Sequence, residues 1–341
     1  MAMPDATLPA YTVRSLLNYL DAQGLPRAQL LSQLNCNDAQ LNDPEACFAV
    51  QHYETMLHNA ADTLDSANIG FRFGRAFELS IWGLLGFIVA AAPDLRQALA
   101  LQKRYQCLLG NSGLAYHETQ EEVTIMRWLS ECCHSAHSTE QVITAWLAFA
   151  FQYTQSDATP LSVHFTHEAL VDPAEYQAFF RCPVYFNAEF NGIKVHTELL
   201  ALPLRTSNSE VLNVLCAHAE QRLLVKRKNA SLDIVRQYII EVLPDHVPDL
   251  PEIAGFLELS PRQVQRQFQR AGTSLTQFVE SIRLSLAVSY LTQTDHKLLY
   301  IAQILGYSEQ SAFQRAFKRH FGVTPGDYRI QPLALPVSVA R

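Results

Sequence analysis

Apolar residues recur at helical spacing through most of the first hundred residues. The helix predicted over 11–20 places four of them on one face: Val13, Leu16, Leu17 and Leu20. Proline, glycine and capping residues divide the remainder into further predicted helices over 27–34, 46–64, 67–77, 84–92 and 95–108, the last capped by Asp94. The first part of the chain is therefore predicted to be mostly helical.

Beyond residue 110 the spacing changes to the alternation that is typical of strands. Segments 114–118 and 123–129 are predicted to form a hairpin across a polar turn. Further strands are predicted over 160–166 and 192–196, and helices over 173–180 and from a cap at Ser138 or Thr139 to residue 154. This order favours an α+β domain, mostly helical with a small antiparallel sheet, and disfavours an all-β sandwich.

A long helix is predicted over 210–228, where four apolar residues recur at heptad-like spacing: Leu212, Leu215, Ala219 and Leu223. This stripe can pack on its own domain or form a contact between two subunits, and the pattern leaves both interpretations open. The basic run at 226–229 is interpreted as a solvated exit from the helix. Ser231 is placed to cap a following helix that ends at Pro244.

Residues 250–329 contain the same pattern twice. An Ile-Ala pair begins at 253 and again at 301, and a Gln-Arg-x-Phe run begins at 265 and again at 314. The offset is 48 residues at the first pair and 49 at the second run, so one residue is inserted between them. A repeat of this length indicates a duplicated structural unit.

Each copy is predicted to fold as helix, tight turn and helix, over 250–271 and 298–321. Ser260 and Ser308 are placed to cap the second helix of each copy. The inner face of that helix is apolar at Val264, Phe268 and Ala271 in the first copy, and at Ala312, Phe313, Ala316 and Phe317 in the second. A central helix over 275–291 completes an all-α domain and would let the two second helices enter successive turns of the major groove, ~34 Å apart.

The outer faces of these two helices are rich in Arg and Gln, the side chains that bind guanine and adenine edges with two hydrogen bonds. The residues predicted to read bases are Arg262, Gln265, Arg266 and Gln269 in the first helix, and Gln310, Ser311, Gln314 and Arg315 in the second. Those predicted to contact phosphate are Ser260, Arg270, Ser308, Lys318 and Arg319. An ordinary polar surface would explain one such helix equally well, but two copies with the same core weaken that interpretation.

The second copy closes on a run that resembles the signature of the AraC/XylS family of transcription regulators: Gly306, Tyr307, Ser308, Phe313, Arg315, Phe317, Gly322, Pro325, Tyr328 and Arg329. The resemblance covers 231–329. It implies a sequence-specific regulator that binds double-stranded promoter DNA, with RNA polymerase as a contact and a homodimer as the usual assembly.

The N-terminal part resembles a particular branch of that family in the segment Arg181-Cys182-Pro183-Val184 and at Leu199, Leu200, Pro203 and Leu204. In this branch the N-terminal domain combines helices with a sheet, unlike the β-jelly-roll of the sugar-binding members. The resemblance implies a small-molecule effector that is amino-acid-like, lipid-like or a signalling metabolite. No effector-binding residue is assigned, because the aromatic residues Phe71, Phe73, Trp82 and Phe87, with Arg72 and Arg75 nearby, are first interpreted as core.

The net charge of -7 divides unevenly along the chain. Residues from 259 onward carry 10 Lys/Arg and 4 Asp/Glu, a net of +6, while residues 1–258 carry 16 Lys/Arg and 29 Asp/Glu, a net of -13. The positive segment is the repeated one, as attraction to the phosphate backbone requires. The acidic remainder is expected to stay off DNA.

Seven scattered cysteines disfavour a disulfide framework, no signal-peptide pattern is found, and the longest uncharged apolar run is too short to span a bilayer. We therefore expect a cytoplasmic protein that does not contact membranes. The Cys132-Cys133-His134 run with His137 lacks the paired spacing of a zinc site. No nucleophile elbow, phosphate loop or dinucleotide fingerprint is found, so neither an enzyme nor a cofactor is expected.

The predicted layout is an effector-binding or regulatory domain over 1–206, a linker or dimer helix over 207–230, a DNA-binding domain over 231–330 and a tail over 331–341. Two alternatives remain. The first domain can dock a protein partner or pair subunits without binding a metabolite. Modules of this kind are also fused to DNA-repair methyl acceptors, whose zinc-held cysteine cluster is not matched by the dispersed Cys36, Cys47 and Cys107.

Overall fold

The computed structural model describes residues 6–130, 135–154, 156–228, 232–294 and 296–330. The Cys132–His134 run, the side chains of the basic run at 226–229, the cap at Ser231 and the tail over 331–341 lie outside the described residues. The chain divides into two compact units, one ending at Ala217 and the other beginning at His218.

Helices make up most of the first unit. They are α1 (Ala10–Ala22), α2 (Arg27–Gln33), α3 (Asp38–Asn42), α4 (Val50–Thr63), α5 (Ile69–Arg75), α6 (Gly83–Ala90), α7 (Leu95–Tyr105), α8 (Ala136–Tyr153) and α9 (Pro173–Phe180). The predicted cap of α7 is confirmed, because the Asp94 side chain accepts a hydrogen bond from the backbone N–H of Gln97 at 2.8 Å.

Two sheets complete this unit. β1 (Thr7–Pro9) pairs antiparallel with β2 (Cys47–Ala49). The larger sheet has the strand order β3-β4-β7-β5-β6, formed by β3 (Gly113–Gln120), β4 (Val123–Ser130), β5 (Ser162–His164), β6 (Val184–Tyr185) and β7 (Gly192–His196). Its neighbouring strands run antiparallel except β5 and β6, which are parallel. The predicted α+β fold with a small, mainly antiparallel sheet is confirmed.

The core of this unit lies between α8 and one face of the larger sheet. Val163 of β5 and Ile193 of β7 are directly paired, and both pack with Ile143 of α8 in a buried apolar cluster. α5 approaches α8 so closely that a Cβ at Gly70 would lie 1.8 Å from the carbonyl oxygen of His137. A larger residue at position 70 would therefore push α5 away from α8.

Helices α10 (Ser209–Lys228) and α11 to α17 form the rest of the described chain, and α10 spans the boundary between the units. The later helices are α11 (Leu232–Val242), α12 (Leu250–Leu257), α13 (Pro261–Arg270), α14 (Leu275–Gln293), α15 (Leu298–Ile304), α16 (Gln310–Phe321) and α17 (Pro325–Ile330). The predicted all-α domain, with two helix-turn-helix units joined by the central helix α14, is confirmed. On α10, Ala219 and Leu223 are buried, while Leu212 and Leu215 are half-buried.

Two boundaries in the first unit were predicted wrongly. Residues 47–49 form β2 and not the start of a helix, because they pair with β1, a partner that local sequence spacing does not reveal. The cap of α8 is Ser135 and not Ser138 or Thr139. Ser135 Oγ accepts a hydrogen bond from the Ser138 N–H at 3.3 Å, which places Ser138 in the first turn of the helix.

Two assignments in the repeat also need correction. Ser260 caps α13, with Gln263 completing a capping box, but Glu309 and not Ser308 occupies the N-cap position of α16. The reason is the single residue inserted between the Ile-Ala pair and the Gln-Arg run of the second copy, which moves the serine one place away from the helix. On the inner faces, Ala271 is exposed and Ala312 is half-buried, so the phenylalanines carry the packing.

Among the described residues, no single helix has the length and apolar character needed to cross a membrane. The segments Ile69–Arg75 and Leu79–Ala90 meet that requirement only when taken together, and they are bent by 106° with respect to each other.

The different roles of Ser260 and Ser308 give a matched pair of substitutions. We expect Ser260→Ala to lower the free energy of unfolding by about 1 kcal/mol, because the N-terminal N–H groups of α13 lose their acceptor. Ser308→Ala should leave it unchanged to within about 0.5 kcal/mol, because Ser308 is exposed and precedes the cap. Urea unfolding of the full chain, followed by circular dichroism, measures both. Equal losses would contradict the assignment of the two caps.

Candidate nucleic-acid interface

The two copies of the repeat use the same backbone turn. Glu258 ends α12 with φ of 56°, and Gly306, which lies 48 residues later, follows α15 with φ of 69°. Both residues therefore occupy the left-handed region, which lets the chain leave one helix and enter the next within a few residues. The sequence repeat is thus also a repeat of backbone conformation.

Buried aromatic residues fix the second helix of each copy. In α13, Val264 and Phe268 are buried, and the Phe268 ring lies 5.5 Å from that of Phe278 on α14. In α16, Phe313 and Phe317 are buried, and the Phe317 ring meets that of Tyr328 on α17 edge-on at 5.3 Å. Because these side chains point inward at helical spacing, the residues between them must point outward.

All four residues of α13 that are predicted to read bases are exposed: Arg262, Gln265, Arg266 and Gln269. Their spacing of three and four residues places them along one face of the helix. The cap at Ser260 lies at the start of this face, where Ser260 Oγ donates to Gln263 Oε1 at 2.8 Å. The first helix therefore presents a continuous polar face with two guanidinium and two amide groups.

The corresponding residues of α16 are less accessible. Arg315 is exposed, whereas Gln310, Ser311 and Gln314 are half-buried. Ser311 Oγ donates a hydrogen bond to Glu309 Oε2 at 2.9 Å, so its hydroxyl is already engaged within the helix end. The structure thus makes the two copies unequal, with the broader exposed face on α13.

The residues predicted to contact phosphate lie at both ends of these helices. Arg270, Ser308 and Lys318 are exposed. Arg319 forms an ion pair with Glu280, with 3.3 Å between Nη2 and Oε1, and its side chain is 75% exposed. An exposed pair of this kind contributes little free energy, so phosphate can compete with Glu280 for the guanidinium.

Arg283 of α14 has a structural role that the sequence did not reveal. Its Nε donates to the carbonyl oxygen of Leu305 at 2.8 Å, and Nη2 donates to that of Gly306. The guanidinium also lies over the Tyr307 ring, 4.3 Å from its centroid. Arg283 therefore ties the turn of the second copy to the central helix.

A different contact supports the first copy. Tyr238 of α11 donates a hydrogen bond to Glu252 Oε1 of α12 at 2.6 Å, and its ring stacks on Phe256 with 4.1 Å between centroids. His246 Nε2 lies 2.8 Å from the same carboxylate oxygen. The hydrogen bond from Tyr238, and then that from His246, hold the pKa of Glu252 below its ordinary value. α11 and α12 are joined through this carboxylate.

Comparison with known proteins connects both halves of the chain to regulators of transcription. The family model described as the arabinose-binding domain of AraC transcription regulators matches residues 24–204, and one described as a helix-turn-helix domain matches residues 253–331. The chain is 23% identical to the ornithine utilization regulator of Pseudomonas aeruginosa over 337 residues, which cover 95% of this chain and 97% of that protein.

Two further similarities cover different lengths. The regulator VirS of Mycobacterium tuberculosis is 32% identical over 165 residues, which cover 48% of each chain. The crystal structure of the regulator CdpR from Pseudomonas aeruginosa covers 89% of this chain and 96% of its own, with 21% identity and a TM-score of 0.42.

The turn at Gly306 can be tested with a matched glycine. We expect Gly306→Ala to lower the free energy of unfolding by roughly 2–4 kcal/mol, because φ is positive and the new Cβ would lie 2.6 Å from the Leu243 carbonyl oxygen. Gly255→Ala should instead stabilise the chain by about 0.5–1 kcal/mol, because Gly255 is within α12 and its Cβ would meet no atom within 4 Å. Urea unfolding of the full chain measures both, and a Gly306→Ala chain as stable as the parent would contradict the constraint.

Proposed function

Because this chain belongs to the AraC family of DNA-binding transcription regulators, we propose that it reads promoter DNA with α13 and α16, and that a small-molecule effector bound by its N-terminal unit adjusts this reading. The domain layout that goes with this proposal is a regulatory domain over 1–206, a linker over 207–230 and a DNA-binding domain over 231–330. In this proposal, α13 and α16 would determine which DNA sequence is bound, and the N-terminal unit would determine the response to the effector.

One observation carries the DNA-binding part of the proposal. The same turn and the same buried phenylalanine recur in both copies, and each time they leave Arg and Gln side chains on the outer face. In the first helix, Arg262 and Arg266 would bind guanine O6 and N7, and Gln265 and Gln269 would bind adenine N6 and N7. Sequence preference would then come mainly from α13, whose outer face is fully exposed.

The second helix would add fewer base contacts and more contacts to the backbone. Arg315 is its exposed candidate for a base, supported by Gln310, Ser311 and Gln314 at half-buried positions. Arg270, Lys318 and Arg319, together with Ser260 and Ser308, would hold phosphates on either side. The net charge of +6 from residue 259 onward supports attraction of this half to DNA.

Pairing of two chains is the proposed assembly, with α10 as the contact. Beside its buried stripe, this helix exposes Val211, Val214 and Val225, which are 46%, 69% and 58% accessible. Exposed valines on one helix are an apolar surface that a second copy can cover. RNA polymerase is the further partner that the family implies.

The effector part of the proposal is supported by the family model that matches residues 24–204, since its description names a ligand-binding domain. The named relatives are transcriptional regulators, and no catalytic step is proposed for this chain. If the N-terminal unit instead docks a protein, no small molecule will change the affinity for DNA.

Two arginines of α13, Arg266 on its outer face and Arg270 at its C-terminal end, separate base reading from phosphate binding. We expect Arg266→Ala to weaken binding by ~1–3 kcal/mol on the preferred sequence and to relax the preference at one base pair. Arg270→Ala, the matched control on the same helix, should weaken binding to all sequences alike and reduce the salt dependence by about one phosphate contact. Selection from a random DNA library with the full chain, followed by anisotropy titrations at several salt concentrations, measures both effects. If Arg266→Ala weakened binding to all DNA sequences alike, Arg266 would have to be assigned as a phosphate contact and not as a base contact.

A further inference from the structure

The first unit contains a cavity between the larger sheet and α8. On the sheet side it is lined by Ala115, Met126, Trp128, Ile193 and Val195. The strand registers pair Ala115 with Trp128 and Met126 with Ile193, which places these side chains on one face. Residues of α6, α7 and α8 form the opposite wall, and the volume of the cavity is about 200 Å³.

The lining of this cavity is apolar and uncharged. Among the described residues that line it there is no Asp, Glu, Lys, Arg or His. Several of its hydroxyl groups are already used inside the protein. Thr12 donates to the Ile81 carbonyl at 3.0 Å, and Thr154 donates to the Ala150 carbonyl at 2.7 Å.

Two glutamine side chains carry polar groups that a ligand can use. The Tyr53 hydroxyl donates to Gln141 Oε1 at 3.3 Å, and this leaves the amide N–H groups of Gln141 as donors. Gln102 donates through Nε2 to Gln106 Oε1 at 3.3 Å, which leaves its carbonyl oxygen as an acceptor. Both glutamines line the cavity. The two glutamines thus offer one neutral donor group and one neutral acceptor group within a largely apolar wall.

Aromatic rings supply much of this wall. The chain has 3 tryptophans, and all of them, Trp82, Trp128 and Trp146, line the cavity. The Trp128 and Trp146 rings meet edge-on at 6.3 Å, and Trp82 lies 5.6 Å from Phe149. Of the aromatic residues considered from the sequence, Phe71 and Phe73 are core and Phe87 is 49% exposed, so only Trp82 belongs to the cavity.

We infer that this cavity is the effector site, and that the effector is an uncharged, largely apolar molecule of on the order of ten non-hydrogen atoms, with one or two neutral polar groups. The size of the effector follows from a comparison of volumes, since an apolar cavity of ~150 Å³ holds benzene and this one is somewhat larger. An ionised group would be buried there without a partner of opposite charge, which is strongly unfavourable. The cavity therefore disfavours charged metabolites such as free amino acids, although one relative is named for ornithine utilization.

Filling the cavity also has a direct effect on the folded state. Apolar side chains around an unfilled cavity lack packing contacts that they would make in a filled core. A neutral molecule that fits would restore the missing contacts and would bind the folded chain in preference to the unfolded one. The inference rests on the proposed effector response of the N-terminal unit.

Tryptophan emission of the full chain tests the site, because every tryptophan lines it. The probes are 4-bromobenzyl alcohol, 4-bromobenzoate and 4-bromobenzylamine, which carry the same quenching bromine but are neutral, anionic and cationic at neutral pH. We expect saturable quenching by the alcohol, with an affinity about ten-fold or more above that of either ion. Equal quenching by all three, or none by the alcohol, would overturn the inference.

Two alanines of α7 provide the matched variants. Ala98 is buried and lines the cavity, whereas Ala100 is exposed and does not. We expect Ala98→Leu to fill the cavity and weaken the alcohol about ten-fold or more, and Ala100→Leu to leave its affinity unchanged. Ala115→Leu, on the sheet wall, is the second variant if circular dichroism shows that Ala98→Leu does not fold. Unchanged affinity in a folded, cavity-filled variant would place the probe elsewhere and refute the site.

The affinity of the full chain for its selected DNA separates this inference from the proposed function. A neutral compound that changes this affinity in the parent and the Ala100→Leu chain, but not in the Ala98→Leu chain, supports both. A charged metabolite that changes it equally in all three chains would uphold the effector response and overturn the cavity as its site. If no small molecule changes the affinity, the effector response itself fails, and the inference fails with it.

Discussion

Both helix-turn-helix units depend on one backbone constraint, a left-handed residue at the turn that leads from the first helix of each unit to the second. Glu258 adopts this left-handed conformation although it is not glycine, which costs about 1–2 kcal/mol of folding free energy. At Gly306 the surroundings are tighter, because the Leu243 carbonyl and the Arg283 guanidinium close around the backbone. The turn directs α13 and α16, and the buried phenylalanines then determine which faces of these helices remain exposed.

The different surroundings of the two turns explain why the copies are unequal. The second copy is held by Arg283 from the central helix, and the inserted residue places Glu309 at the cap of α16. The first copy is held through Glu252 and Tyr238, and its cap is the neutral Ser260. A carboxylate at a helix N-terminus is favourable for the helix but repels phosphate. The second copy thus combines a carboxylate at its cap with an outer face that is less exposed than that of the first.

The sequence could predict what depends on local spacing. The hairpin, α9, the cap of α13 and the duplicated turn all follow from residues that are close in the chain. It could not predict β2, which exists because of its pairing with β1, or the hydrogen bonds of Arg283 to carbonyls 22 and 23 residues away. The cavity was hidden for the same reason, since its wall combines strands and helices from distant segments. Trp82 lines the cavity but is interpreted from the sequence as core, because an apolar residue beside a cavity has the same sequence signal as one in a filled core.

A physical route leads from the cavity to α10 within the first unit. Leu85 and Val89 of α6 line the cavity, and the carbonyl groups at the end of that helix bind the segment that starts α10. Thr206 Oγ1 donates to the Ala90 carbonyl at 2.6 Å, and the Asn208 N–H donates to that of Ala91 at 3.1 Å. Asn208 Oδ1 in turn accepts hydrogen bonds from the first N–H groups of α10 at 3.0 Å. If the proposed effector displaced α6, it would act on the cap of α10, the helix that continues into the DNA-binding unit. Coupling would require only that this cap has two arrangements that differ in their affinity for the ligand.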